Sequence, residues 1–119
     1  VILEDAWMPK CKLIALTTPV AGKESEFHDW YQNVHLPEIL SLPGGQSAQR
    51  YQLVAKLMGA DPNQWLAIYD FECDDPAAVL GAMGQAAASG KMTQTDSSDM
   101  AITYTAFFVE HGDKVVANG

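Results

Sequence analysis

The stretch "QWLAIYDFEC", residues 64–73, decides how this chain must fold. Side chains of an extended strand point alternately to opposite faces, so Trp65, Ala67, Tyr69 and Phe71 share one face while Leu66 and Ile68 share the other. Both faces are apolar. The stretch "AITYTAFFVEH", residues 101–111, repeats the pattern, with Phe107 and Val109 set against Ile102, Tyr104, Ala106 and Phe108. A sheet with water on one side reads as apolar and polar in alternation. These strands do not, so both of their faces need a cover.

Around these two strands the rest of the chain falls into short elements. "CKLIALTT" (11–18) reads as a buried strand closed by Pro19 and Gly22, and "QSAQRYQLVAKL" (46–57) as another. The second is joined to strand 64–73 by the turn-rich "MGADPN" (58–63), which predicts an antiparallel hairpin. Between the first two strands, "GKESEFHDWYQNVHLPEILSL" (22–42) has helical spacing, with Phe27, Trp30, Tyr31, Val34 and Glu38 on one side and Ser25 as the expected cap. Pro37 lacks a backbone donor and crowds the carbonyl four residues earlier, so the helix should kink or restart there. "LPGG" (42–45) stops it. "DDPAAVLGAMGQAAASG" (74–90) predicts a second helix, "KMTQTDSSDM" (91–100) a loop and "GDKVVANG" (112–119) a tail.

The order β-α-β-β-α-β is the α+β, ferredoxin-like unit with a four-stranded antiparallel sheet, in one domain spanning 1–119. Two helices cover one face of such a sheet. The simplest cover for the other is the same face of a second copy about a two-fold axis, which makes a homodimer and a closed α+β barrel.

Composition limits the partners. With 15 acidic against 7 basic residues and a net charge of −8, the chain lacks the cationic surface that phosphate backbones and anionic lipids attract, which excludes nucleic acid and membrane surfaces. No apolar run approaches the roughly 20 residues that span a bilayer. The opening "VILEDAWMPK" carries acids where a leader peptide carries bases, so the expected place is the cytoplasm. Cys11 and Cys73 show neither CxxC nor zinc spacing, and both are expected to be small buried hydrophobes.

The residues Phe27, Trp30, Tyr31, His35, Pro37, Pro43, Gly44, Ala48, Arg50 and Tyr51 resemble the motif of the EthD-like (ethyl tert-butyl ether degradation) branch of the dimeric α+β barrel proteins. That motif is a short helix carrying in turn Phe, Trp/Tyr, Tyr, His and Pro, then a Pro-Gly turn and a strand beginning Ala-x-Arg-Tyr. The resemblance covers about half the chain. It implies a dimer and, in each subunit, a pocket between helices and sheet for a flat or aromatic molecule. It does not fix a reaction, since the fold hosts cyclases, dehydratases, isomerases, cofactor-free monooxygenases and haem-handling enzymes.

Within that frame His35 is the expected acid/base, because an imidazole titrates near neutrality and the carbonyls freed at the Pro37 break could fix its tautomer. Tyr51 is its expected catalytic partner. Trp30, Tyr31, Arg50, Tyr69 and Tyr104 are candidate substrate contacts, the tyrosines as donors to a developing enolate or phenolate. Each has a plainer alternative: Trp30 and Tyr31 as core, and Arg50, the only arginine, paired with Asp70 or Glu72. His28 lies two helical turns, about 10 Å, from His35, too far to share a metal ion, and is expected at the surface. His111 could sit at a pocket mouth, an interface or in the tail.

No glycine-rich phosphate loop, G-x-S-x-G elbow or nucleophilic cysteine motif occurs, and neither cofactor nor metal is expected. The function expected is a cofactor-independent lyase, isomerase or cyclase that uses a histidine on a small hydrophobic or aromatic carbonyl compound. The alternatives are a non-catalytic small-molecule-binding or stress-related protein, and a cofactor-free or haem-handling monooxygenase.

Overall fold

The computed structural model describes residues 10–118. The reading of residues 1–9 as lacking a leader lies outside them. The elements are β1 (Lys10–Thr17), α1 (Glu24–Trp30), one π-helical turn (Tyr31–His35), α2 (Leu36–Leu40), β2 (Gly45–Gln52), β3 (Trp65–Glu72), α3 (Pro76–Ala88) and β4 (Tyr104–Val109). The strands form one antiparallel sheet in the order β2-β3-β1-β4, the ferredoxin-like arrangement expected, with the first helix delivered in three pieces.

The breaks in regular structure have local causes. Pro37 cannot donate a backbone bond, and just before it the Leu36 N–H reaches back to the Tyr31 carbonyl, the five-residue span of a π turn, before α2 restarts with Pro37 in its first turn. α1 begins on Lys23 with no side-chain cap, so Ser25 does not play that part. α3 is capped as its sequence suggests, by Asp75 accepting from the Ala77 N–H at 3.1 Å, and stops at Gly90 with φ of +77°.

Two strands are shorter than expected. β2 ends at Gln52 because its pairing with β3 ends there, at Trp65; residues 53–64 run outside the sheet, tied by the Leu53 N–H to the Gln64 carbonyl. β4 begins only at Tyr104, because Asp99 holds residues 99–103 in a turn through Ala101 N–H and the Thr103 hydroxyl. Buried Asn63 joins these connections, accepting from Thr18 Oγ1 at 3.0 Å and donating to the Ile102 carbonyl at 2.8 Å.

At the Pro43-Gly44-Gly45 turn backbone meets backbone. A Cβ on Gly44 would lie 2.2 Å from the Glu72 carbonyl oxygen, and one on Gly45 would lie 2.4 Å from that of Leu40. Directly after it the register slips: Gly45 pairs with Phe71, but Ser47 pairs with Asp70, so Gln46 is the extra residue of a β-bulge.

The register sorts the side chains. Toward the helices stand Ala48, Tyr69, Leu13 and Phe107 in one row, Arg50, Ala67, Ala15 and Thr105 in the next, and Cys11 and Phe71 beyond. With Phe27, Tyr31, Leu36, Ile39 and Val79 from the helices, most of these form the core. Cys11 and Cys73, buried as expected, are joined in a disulfide, which corrects their reading as free apolar side chains: β1 and β3 are adjacent, and residues 62 apart in sequence meet. The other face has the rows Tyr51, Leu66, Leu16, Tyr104, then Gln49, Ile68, Ile14, Ala106, then Ser47, Asp70, Lys12, Phe108. Tyr51, Tyr104 and Phe108 are each about half exposed there.

Candidate functional site

The π turn sets the geometry of the helix side. A wider turn shifts the residues that follow, and His35 ends up boxed by aromatic rings. Trp30 stacks on it with centroids 4.4 Å apart and planes 19° apart, Tyr31 meets it edge-on at 5.0 Å, and Tyr69 of β3 stands perpendicular at 6.3 Å. Trp30 is held by its indole N–H to the Thr93 carbonyl at 3.1 Å. The Glu38 carboxylate accepts from the N–H and hydroxyl of the same threonine, which lower its pKa.

Two polar atoms in this box are buried without a hydrogen-bond partner, His35 Nδ1 and the Tyr69 hydroxyl. The carbonyls expected to orient His35 do not reach Nδ1. Burial lowers the His35 pKa to about 4, against the opposing pull of Glu38, so the ring is neutral at neutral pH. Burial, and then Tyr31, drive the Tyr69 pKa far above that of an ordinary phenol, so Tyr69 stays protonated and can act only as donor or neutral acceptor. The Tyr31 hydroxyl approaches that of Tyr69 without completing a bond of good geometry.

Next to this box lies a second cluster. The bulge at Gln46 turns Arg50 toward the helices, where it donates from Nη2 to His28 Nδ1 at 2.9 Å. Its guanidinium lies 4.8 Å from the ring centroid of Tyr31, 5.2 Å from Trp65 and 5.6 Å from Phe27, while His28 meets Trp65 edge-on at 4.4 Å. Arg50 pairs with neither Asp70, which faces the other way and binds Lys12 and Ser47, nor Glu72. His28 is half-buried rather than at the surface, because the arginine draws it in; burial first, and then the Arg50 charge, lower its pKa.

Of the residues singled out in the sequence, His35, Trp30, Tyr31, Tyr69 and Arg50 thus form one connected set. Tyr51 and Tyr104 stand on the opposite face, across from Leu66 and Leu16, since the bulge that brings Arg50 in sends Tyr51 out. His111 follows β4 in exposed chain. His28 joins the set unforeseen; only its position one residue after Phe27 hinted at this.

The open pocket expected between helices and sheet is filled by these rings. The hollows outlined among the described residues include one of about 520 Å³ near Lys10, Lys12, Asp70, Phe108 and Lys114, a shallow one of about 590 Å³ beside Trp30, Val34 and Gln94, and one of about 250 Å³ bounded by Gln52, Lys56 and Trp65. Trp30 therefore separates the second hollow from His35. No group of three or more metal-ligating side chains occurs among the described residues, and no helix there is long and apolar enough to cross a membrane.

No family model matches the chain, and no curated protein matches it. Among solved structures it is similar to an EthD family protein from Bacillus halodurans C-125, at 22% identity and a TM-score of 0.57, over 89% of this chain and 99% of that one. It is likewise similar to a candidate monooxygenase from Shewanella loihica PV-4, at 14% identity and a TM-score of 0.59, over 93% of this chain and 99% of the other. The chain shares its α+β fold with that EthD family protein. At such identities the likeness carries fold alone, not reaction.

Proposed function

We propose that the protein is a cofactor-independent enzyme that moves a proton on a small hydrophobic or aromatic carbonyl compound, working as a homodimer with His35 as acid/base and Tyr69 as the donor to the substrate oxygen. The observation that carries the reading is the unpartnered pair, His35 Nδ1 and the Tyr69 hydroxyl, in an otherwise packed interior. A buried polar atom with no partner costs about 1–3 kcal/mol, and such a cost is retained where a ligand supplies the missing bond.

In this reading the substrate enters by displacing Trp30 from its stack on His35, drawing on the hollow beside it. The neutral imidazole takes a proton from the carbon next to the carbonyl. The Tyr69 hydroxyl donates to the oxygen as the enolate forms, and the imidazolium returns the proton to another carbon for isomerisation or to a leaving oxygen for dehydration. The enolate formed beside the imidazolium favours its charge, which compensates for a resting pKa of about 4.

A second reading, a binder without chemistry, is favoured by that same low pKa, which makes His35 a weak base in the empty site. Two substitutions decide between them. Tyr69→Phe removes the unpartnered hydroxyl: its melting temperature should rise, by about 1 kcal/mol of stability, while turnover of a phenol and ketone panel falls on the order of 10²-fold. His35→Gln should keep binding and lose turnover. Binding unchanged in both variants, with no turnover in the parent, leaves the binder; oxygen uptake during turnover moves the chemistry to a monooxygenase.

A further inference from the structure

Arg50 is the only arginine of a chain with 15 acidic residues, yet no carboxylate pairs with it among the described residues. Its side-chain partner there is an imidazole, and aromatic rings surround it. A guanidinium is a donor only, so the bond to His28 Nδ1 makes that nitrogen the acceptor and places the ring proton on Nε2. The other guanidinium N–H groups bond no protein atom among the described residues, and Arg50 is only half-buried. The cluster thus presents a planar fork of donors, with a further imidazole donor near it, among rings that would stack on a flat ligand.

We infer that Arg50, seated by His28 and walled by Trp65, Phe27 and Tyr31, is the anchor for the carboxylate of a small planar organic acid. A carboxylate matches two guanidinium N–H groups side by side, and a charge-assisted pair among rings is stronger than one in open water. Tyr31 touches both Arg50 and His35, at 4.8 Å and 5.0 Å, so an acid held here has its other end at the His35–Tyr69 box. The inference rests on the proposed proton-transfer site for that second end only; the anchoring of the acid stands on the Arg50 cluster by itself. It names the substrate class as an aromatic or conjugated carboxylic acid bearing the reactive carbonyl.

The anion is recognised by charge and by plane, and inorganic phosphate has only the first. The test is calorimetric titration with benzoate, benzamide and inorganic phosphate at neutral pH. Benzoate should bind at least tenfold more tightly than either of the others; Arg50→Gln should abolish that preference while leaving benzamide unchanged, and Arg50→Lys should restore part of it. Equal binding of benzoate and benzamide, or a preference that survives Arg50→Gln, overturns the anchor; phosphate binding as tightly as benzoate overturns the planar acid.

If Arg50→Gln does not fold, the parent protein answers alone through the NMR titration of His28. That ring is faced by Arg50 from β2, Trp65 from β3, and Phe27 and Glu24 from its own helix, so added benzoate should raise its pKa, and no shift at saturating benzoate contradicts the anchor. His35→Gln should retain benzoate binding. Loss of turnover with the anchor intact therefore implicates the proton-transfer reading, and the reverse implicates the anchor.

Discussion

The two faces of this one sheet have nearly the same apolar content and opposite fates. Toward the helices, Tyr69 is fully buried, Phe71 and Cys11 are closed in, and Arg50 is turned inward. On the other face Tyr51, Tyr104 and Phe108 remain 47–52% exposed around half-buried Leu66, Ile68, Ile14 and Leu16. One residue decides the assignment. Without the extra residue at Gln46, Ser47 would pair with Tyr69 and Arg50 with Leu66, and Tyr51 would point at the helices in its place. The difference teaches that the covered face holds two buried polar atoms without partners, whereas the open face leaves large apolar side chains half exposed.

Breaking the covered face should cost most at the disulfide. Cys11→Ser opens a loop of 62 residues and should lower stability by about 4 kcal/mol in a denaturant melt under oxidising conditions, with no loss for Tyr51→Phe on the open face. The bond also bears on location: disulfides are rare in a reducing cytoplasm, so protein purified without reductant should yield thiols to Ellman's reagent only after reduction, while two free thiols would restore the expected cytoplasmic setting.

The next effect sharpens the comparison through pH. His35 binds its proton more weakly folded than unfolded, so the unfolded state takes up protons first as pH falls from about 6.5 to about 4, and stability drops across that window. The loss is on the order of 2–3 kcal/mol, absent above the upper limit and complete below the lower one, and His35→Leu should flatten the slope of melting temperature against pH there. The smallest effect belongs to the open face. Lys12→Met removes the pair with Asp70, both side chains about half exposed, and should change stability by less than about 1 kcal/mol.

Much of this was legible in the sequence. Apolar alternation in residues 64–73 fixed both faces of β3, and Pro37 marked the helix break, because each signal depends on neighbours along the chain. What stayed hidden depends on partners across it. The bulge at Gln46 comes directly after the close backbone approach of Gly44 to Glu72 and of Gly45 to Leu40, and with it go the inward turn of Arg50, the capture of His28 and the outward turn of Tyr51. The Cys11–Cys73 bond needed the β1–β3 register. The π turn, which a proline alone does not specify, set His35 against Trp30.

The open face has apolar rows with its charges, Lys12 and Asp70 and then Lys10 and Glu72, gathered at one end, and a second copy of the same face is the cover proposed for it. Sedimentation equilibrium at micromolar concentration tests this directly. The account predicts a folded species of twice the 12.9 kDa chain mass, reduced to single chains by Phe108→Asp. A folded, soluble species of 12.9 kDa at that concentration would contradict it.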